Sequence, residues 1–540
     1  MRRCGSRAGC SAALEFGLRG LFVCYTVSLC AVGIGGKFMK YVLGIDVGTG
    51  GTRAVLAGPD GGIVSSATCE HVPFASPKIG WAEQDPQDWC RATGSAIREA
   101  ITAAGINSSD ISAVGLAGQM HGAVLLDTNN EVLRPALIWC DQRTQAQCDW
   151  LNAKVGERKI IELTCNPALT NFTLTKLLWV RDNEPEIWKR FRRVLLPKDY
   201  VRFRLTSEHA MDVAEASGTL MLDVAHRRWS EDMMSAVGLP MSCLPKLYES
   251  PEVCGRISEA GAAHTGLQPG TPVVAGAGDQ AGGAVGMGIV RAGTVSATIG
   301  TSGVVFAATD SPAMDPKGRV HTFCHAVPGR WHVMGVTQAA GLSLRWFRDL
   351  LRNSSCDFSY DELTREAATV PPGSDGVLWA PYLMGERTPH LDPDARGTFT
   401  GLAASHSRAH LTRAILEGVA FSLKDTFSLF DEMQVPVRKI RLGGGGARSP
   451  LWRQIQSDTY GREVEVLIAE EGAAYGAALL AGVGAKFWKS VDEACEAVIK
   501  VEQRVQPDPS AVTTLAIRYE NFRRLYPALK SLFGQIARDA

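Results

Sequence analysis

The sequence predicts an α/β protein of two related halves with a deep cleft between them. Two observations carry this. "YVLGIDVGTGGTRAVLAGPDGGIVSSATCEHV" alternates strand-like apolar runs with Gly-rich turns, and "GTVSATIGTSGVVFAATD" repeats the pattern about 250 residues later. Each reads as strand, turn, strand, with "VGTGGT" or "IGTSG" at the bend. A third observation, the stretch "LQPGT" around Leu267 to Thr271, supplies a break. It divides the chain into residues 39–268 and 269–540. A cleft between such halves is the natural place for a ligand.

Bulk composition fits a globular protein of more than one domain. The chain has 540 residues, 45% hydrophobic and 21% charged. Lys plus Arg equals Asp plus Glu at 56 each, so no bulk attraction to nucleic acid or an anionic membrane is expected. The 14 cysteines form no C-x-x-C pair, which argues against a zinc ribbon or dithiol site. Scattered cysteines of this kind are read as buried thiols in a reducing compartment, here the cytoplasm.

The first 38 residues stand apart. "MRRCGSRAGC" is basic and "LFVCYTVSLCAVGIGG" is apolar, the pattern of a secretory signal or short anchor. Yet "MKYVLGIDVG" begins a clean strand pattern at Met39. The favoured reading is an extension upstream of the true start at Met39, with a targeting segment as the alternative.

In the first half, "PQDWCRATGSAIREAITAAG" has helical period and stops at Gly105. "ISAVGLAGQMHGAVLLD" reads as strand, turn, strand. In the second half, "HLTRAILEGVAFSLKDTFSLFDEM" is the clearest helix, with Ile415, Val419, Leu423 and Phe427 on one face. "TTLAIRYENFRRLYPALKSLF" reads as an amphipathic helix interrupted at Pro527.

Four stretches carry candidate chemistry. In "GIDVGTGGTRAVL", Gly48, Gly50 and Gly51 let backbone N–H groups approach a phosphate, and Thr49 and Thr52 add hydroxyls. Asp46 ends the strand, and a carboxylate beside phosphates calls for a divalent cation, Mg²⁺ by preference. An ordinary bulged hairpin is the alternative. The echo at Gly300, Thr301 and Ser302 favours a nucleotide tail gripped from two sides. In "IRLGGGGARSPLWRQIQSDTYG", a strand runs into Gly443 to Gly446, and Ser449 and Pro450 open a helix. Bare backbone there suits a flat group such as adenosine, although a tight turn explains it equally. In "AGQMHGAVLLD", Gln119 and His121 are polar residues in a turn between apolar strands; a structural histidine is the default. "HTFCH" lacks a fourth ligand nearby and is a poor metal site. Finally, "AGAGDQAGGAVG" places one charged side chain, Asp279, among glycines. Asp279 either caps the following helix or acts on a ligand for which the glycines clear space.

The chain resembles the FGGY carbohydrate kinases from Met39 to about Tyr526. "GIDVGTGGTRAVL", "GWAEQDPQDW", "AGQMHG", "LIWCDQRT", "KLLWVRDNEPE", "LLPKDYVRFRLTSE", "AGAGDQAGGAVG", "TIGTSG", "YLMGERTPHLDPDARGTFTGL" and "GGGGARSPLWRQI" occur in the family's order. The second family signature matches throughout Gly397 to Glu417. The first, around Lys176 and Trp179, departs at its start, where Asn171 stands. The resemblance implies two duplicated actin-like (ribonuclease-H-like) domains with an interdomain cleft. It implies ATP between them, and a sugar held deeper against the first. "GQMHG" points to the branch that phosphorylates D-xylulose; ribulose, another pentulose, a polyol or glycerol is the alternative acceptor. A non-kinase ATPase of the actin fold is the remote one. By matching motif, Asp279 is the catalytic base; Met120, His121 and Gln280 lie at the sugar; Asp46 holds Mg²⁺. Gly48, Thr49, Gly50, Gly300, Thr301, Gly444 and Gly445 line the nucleotide. Gln280 stands where the family often has Asn. The expected protein is a monomer or homodimer with small-molecule substrates only.

Overall fold

The computed structural model describes residues 25–28, 40–352, 358–468 and 472–539. The expected N-terminal extension lies outside these residues, apart from Tyr25–Ser28. That short strand pairs antiparallel with Ile63–Glu70 at one edge of the first sheet.

Two mixed sheets share one topology. In the first, Ile63–Glu70, Gly51–Ala57 and Tyr41–Val47 form an antiparallel meander. Tyr41–Val47 then pairs parallel with Ile111–Gly118, which pairs parallel with Pro272–Val274; Val253–Arg256 closes the row antiparallel. In the second, Trp331–Thr337, Gly303–Thr309 and Gly293–Ile299 repeat the meander. Gly293–Ile299 pairs parallel with Val437–Gly444, which pairs parallel with Val464–Leu467; Val501–Val505 closes this row antiparallel. The duplication expected from the two hairpins therefore extends strand for strand across both sheets.

The expected elements form for the expected reasons. "YVLGIDV" is a continuous apolar run because its strand is covered on both faces, and only Asp46 interrupts it. Pro86–Ala104 starts behind Asp85, whose carboxylate accepts from the Gln87 N–H, and ends at Gly105 with φ 65°. Its buried face, including Trp89, Ala96, Ile97 and Ala100, packs on one side of the first sheet. Arg408–Glu432 buries Ile415, Val419, Leu423 and Phe427 against the second sheet.

Three features differ from expectation. The chain leaves the first sheet after Asp279–Gly286 and enters the second at Gly293, not at Leu267–Thr271. The run before Asp279 belongs to the first sheet because Pro272–Val274 and Ala277–Gly278 both pair with Ile111–Gly118. The C-terminal helix is two helices, Pro509–Arg523 and Leu525–Asp539. Pro527 falls in the first turn of the second, where its missing N–H leaves no bond unmade. Both belong to the second half: Leu515, Tyr519 and Phe522 pack with Phe421 and Tyr382. Lastly, "GAAYGAALLAGVG", residues Gly472–Gly484, crosses back to cover the other side of the first sheet. It also meets Asp279–Gly286 at backbone distance: a Cβ on Gly476 would lie 1.8 Å from the Gly282 carbonyl oxygen. The two halves are thus sewn together directly beneath Asp279. Among the described residues no helix is long and apolar enough to cross a membrane.

Candidate active site

Three neighbouring parallel strands end side by side. Val47 pairs with Gly118, and Gly118 with Gly278. The residues next to these ends are Asp46, Gln119 to His121, and Asp279. Side chains from three distant stretches converge at the carboxyl edge of the sheet, where open α/β sheets bind ligands.

Asp279 is not a cap. Gly278 is the N-cap of Asp279–Gly286 and makes no side-chain cap bond; Asp279 is the first helical residue. Burial pushes its carboxyl pKa up to about 7, and the neighbouring Asp46 charge adds to the shift. Gln280 opposes it through its backbone N–H and its side-chain amide, both directed at that carboxylate. Burial likewise raises Asp46 to about 6, against the pull of Arg53.

Met120 and His121 lie close by. A Cβ on Gly278 would stand 2.8 Å from Met120 Cγ and Sδ, so Met120 covers the backbone just before Asp279. His121 has φ 70°, unusual for a residue with a side chain. Its Nδ1 donates to the Gly218 carbonyl at 2.7 Å. That carbonyl can only accept, so Nε2 is left as the acceptor. Burial lowers its pKa to about 3, so the ring is neutral at physiological pH. Phe172 packs edge-on at 5.0 Å.

The second half supplies a cavity of about 450 Å³. Gly300, Thr301 and Gly445 line it, with Arg345, Tyr360 and Trp452. Ser449 caps Pro450–Tyr460 by accepting from the Trp452 N–H. Gly444 shapes the turn from behind. It has φ 73° and ψ −167°, a conformation essentially reserved for glycine, and its Cβ would lie 2.5 Å from the Ile299 carbonyl oxygen. In the first half, the Gly48 N–H donates to the Gly51 carbonyl at 3.0 Å, while Gly50 is exposed. Thr49 Oγ1 accepts from Trp139 Nε1 at 2.9 Å. Thr52 does not serve this loop, since its hydroxyl is buried against His71 Nε2 at 2.9 Å.

Models of the N- and C-terminal domains of the FGGY family of carbohydrate kinases match residues 41–286 and 295–485. The chain belongs to the FGGY family of carbohydrate kinases. The gap between the two matches falls where the chain passes between sheets. The chain is similar to the xylulose kinase of Escherichia coli (strain K12), 41% identical over 495 residues, 91% of this chain and 100% of that one. It is also similar to the xylulose kinase of Bacillus subtilis (strain 168), 38% identical over 494 residues, 92% of this chain and 98% of that one. Among solved structures, the xylulose kinase from Rhodospirillum rubrum superposes with a TM-score of 0.85 at 32% identity, covering 92% of this chain and all of that one.

As a carbohydrate kinase, the FGGY protein uses ATP. Gly444→Ala is expected to raise KM for ATP about tenfold or more, from roughly 1–3 kcal/mol of backbone strain, and to leave KM for the sugar alone. Equal rises in both would show a general loss of fold instead.

Several polar groups of the FGGY kinase site carry no local sequence signal. Lys198, Asp199, Arg202 and Asp212 form a fully buried ionic cluster, with Lys198 2.5 Å from Asp199 and 2.6 Å from Asp212. Lys198 and Arg202 both donate to the Ala275 carbonyl, at the entry to the Asp279 turn. "LLPKDYVRFRLTSE" contains the two cations and Asp199, but Asp212 and the Ala275 carbonyl lie elsewhere in the chain. The "HTFCH" side chains go to separate partners: His321 to Asn166, Cys324 to the Val224 carbonyl and His325 to the Ile289 carbonyl.

Proposed function

We propose that this FGGY kinase transfers the γ-phosphoryl group of ATP to the terminal hydroxyl of D-xylulose, giving D-xylulose 5-phosphate. The observation that carries the reading is a half-buried carboxylate, Asp279, poised near pH 7 at the strand ends beside Met120 and His121. A base must titrate near the working pH to take a proton and release it. Asp279 accepts the proton of the sugar hydroxyl as its oxygen bonds to the γ-phosphorus; the bond from that phosphorus to the bridging oxygen breaks and ADP leaves. The hairpin backbones at Gly48 to Gly50 and Gly300 to Thr301 face the phosphates. The protein's share is positioning and charge neutralisation more than covalent chemistry.

The residues fit Mg²⁺. Among the described residues Asp46 Oδ1 is buried with no hydrogen-bond partner, and the Asp46 charge disfavours that of Asp279. Mg²⁺ takes one or two protein carboxylates together with substrate phosphates. Asp46 would hold it, and when bound it would neutralise phosphate charge. The nine described cysteines are all free thiols, which favours the cytoplasm.

The sequence similarity to two xylulose kinases supports D-xylulose as the acceptor. An assay of ADP release with D-xylulose, D-ribulose, L-xylulose and glycerol tests it: D-xylulose should give the highest kcat/KM, and a faster rate with any other would overturn the assignment. His121→Ala is expected to raise KM for the sugar roughly tenfold to a hundredfold, the value of one lost hydrogen bond of about 1–3 kcal/mol, with KM for ATP unchanged. Matching increases for both substrates would make His121 structural.

A further inference from the structure

One cation near the sugar pocket has no task in this reading. Arg387, in "YLMGERTPHLDPDARG", comes from the second half and is half-buried. Among the described residues its guanidinium makes no hydrogen bond and no ion pair. Burial works against its charge, and Glu386 offsets only part of that cost. The Glu386 carboxylate is already taken up by the Thr337 hydroxyl at 2.6 Å and the N–H groups of Gln338 and Arg387 at 2.9 and 2.8 Å. An unpaired, desolvated guanidinium is costly unless a ligand completes it.

The surroundings say where that ligand end lies. Thr388 accepts from the Val336 N–H at 3.0 Å and donates to the Arg319 carbonyl at 2.8 Å. This seats Arg387 beside the start of His321–Cys324. His321 and Phe323 stack at 5.6 Å, and Phe172 approaches His321 at 5.8 Å and His121 at 5.0 Å. A wall of aromatic rings thus joins His121 in the first half to His321 in the second. The Arg387 charge acts on both imidazoles. The charge that acts on Asp279 is that of Asp46, not Arg387. Asp279 thus adjoins the Met120–His121 turn on one side, and from His121 the ring wall leads away to the Arg387 side.

We propose that Arg387 is a sugar-binding residue that donates to the end of the sugar remote from the phosphorylated hydroxyl. Resting on the sugar-kinase reading above, it assigns that end the chemistry of a hydrogen-bond acceptor: the hydroxyketone of a ketose, or the carboxylate of an aldonate of the same length. A planar guanidinium suits the carboxylate best, because two parallel N–H bonds reach both oxygens. D-Xylonate should therefore bind in competition with D-xylulose.

The test uses Arg387→Met and Arg387→Lys in the full chain. Steady-state kinetics give KM for D-xylulose and for ATP, and calorimetry gives binding of D-xylulose and D-xylonate without nucleotide. Arg387→Met is expected to raise KM for D-xylulose about tenfold or more and to weaken D-xylonate further, with KM for ATP unchanged. Arg387→Lys, which keeps the charge and loses the fork, should fall between. Unchanged affinity for both sugars in Arg387→Met would overturn the proposal. If that variant does not fold, Arg387→Lys decides by the same comparison: weaker sugar binding with unchanged ATP upholds it, and wild-type sugar binding overturns it. If the wild type turns over a different sugar, the D-xylulose reading fails; calorimetry with that sugar and its aldonate then decides Arg387 separately.

Discussion

Asp279→Asn should leave a folded protein that binds sugar and ATP and loses about 10²–10⁴-fold in kcat, the usual range for a general base. The helix cannot account for such a loss, because Gly278 and not Asp279 is its N-cap. The pH profile adds a second readout. Asp279 must be ionised to accept a proton, and its pKa is about 7. Wild-type kcat/KM should therefore fall about tenfold per pH unit below that value. The residual rate of the variant should lack this limb. Stability should move the other way. The ordinary carboxyl pKa is 3.8, so between about 4 and 7 the folded state holds a proton that the unfolded chain has released. Native stability is then lost as pH rises through that window. Asp279→Asn removes the burial cost of the charge, so it should melt above wild type at pH 8, with the difference narrowing toward pH 4. Near-wild-type kcat would refute the catalytic assignment.

Asp46→Asn should cost about 10²-fold or more in kcat/KM for ATP and raise the Mg²⁺ concentration needed for half-maximal rate, since metal charge neutralisation is worth several kcal/mol. The same substitution reports on Asp279. The Asp46 charge is part of what raises the Asp279 pKa. Removing it should shift the acidic limb of the residual activity to lower pH. A merely structural Asp46 would move the limb in the same way but leave the Mg²⁺ requirement unchanged. An unchanged Mg²⁺ requirement would show that no cation is held there.

Much of this site is legible along the chain because the local patterns are strong. Gly-rich turns after apolar runs mark both hairpins, and Ser449 and Pro450 mark a helix start that forms as read. The domain border is not legible. "LQPGT" looks like a break, but Pro272–Val274 is claimed by a parallel ladder to Ile111–Gly118, a pairing with no local signature. The choice between cap and base at Asp279 is likewise beyond sequence, since N-cap and first helical residue differ by one position.

The sequence by itself determined the duplicated α/β plan, the glycine turns and the identity of the carboxylates, because turn chemistry and hydrophobic period act over a few residues. Only the tertiary structure decided what those groups can do. A pKa near 7 at Asp279 requires burial and the charge of Asp46, brought together by the ends of two strands far apart in the chain. The neutrality of His121 comes from its burial among residues distant in the chain, which outweighs the opposing pull of the Gly218 carbonyl. The Arg387 charge reaches His121 only because the second half folds against the first, and desolvation by distant residues leaves no trace in a local motif.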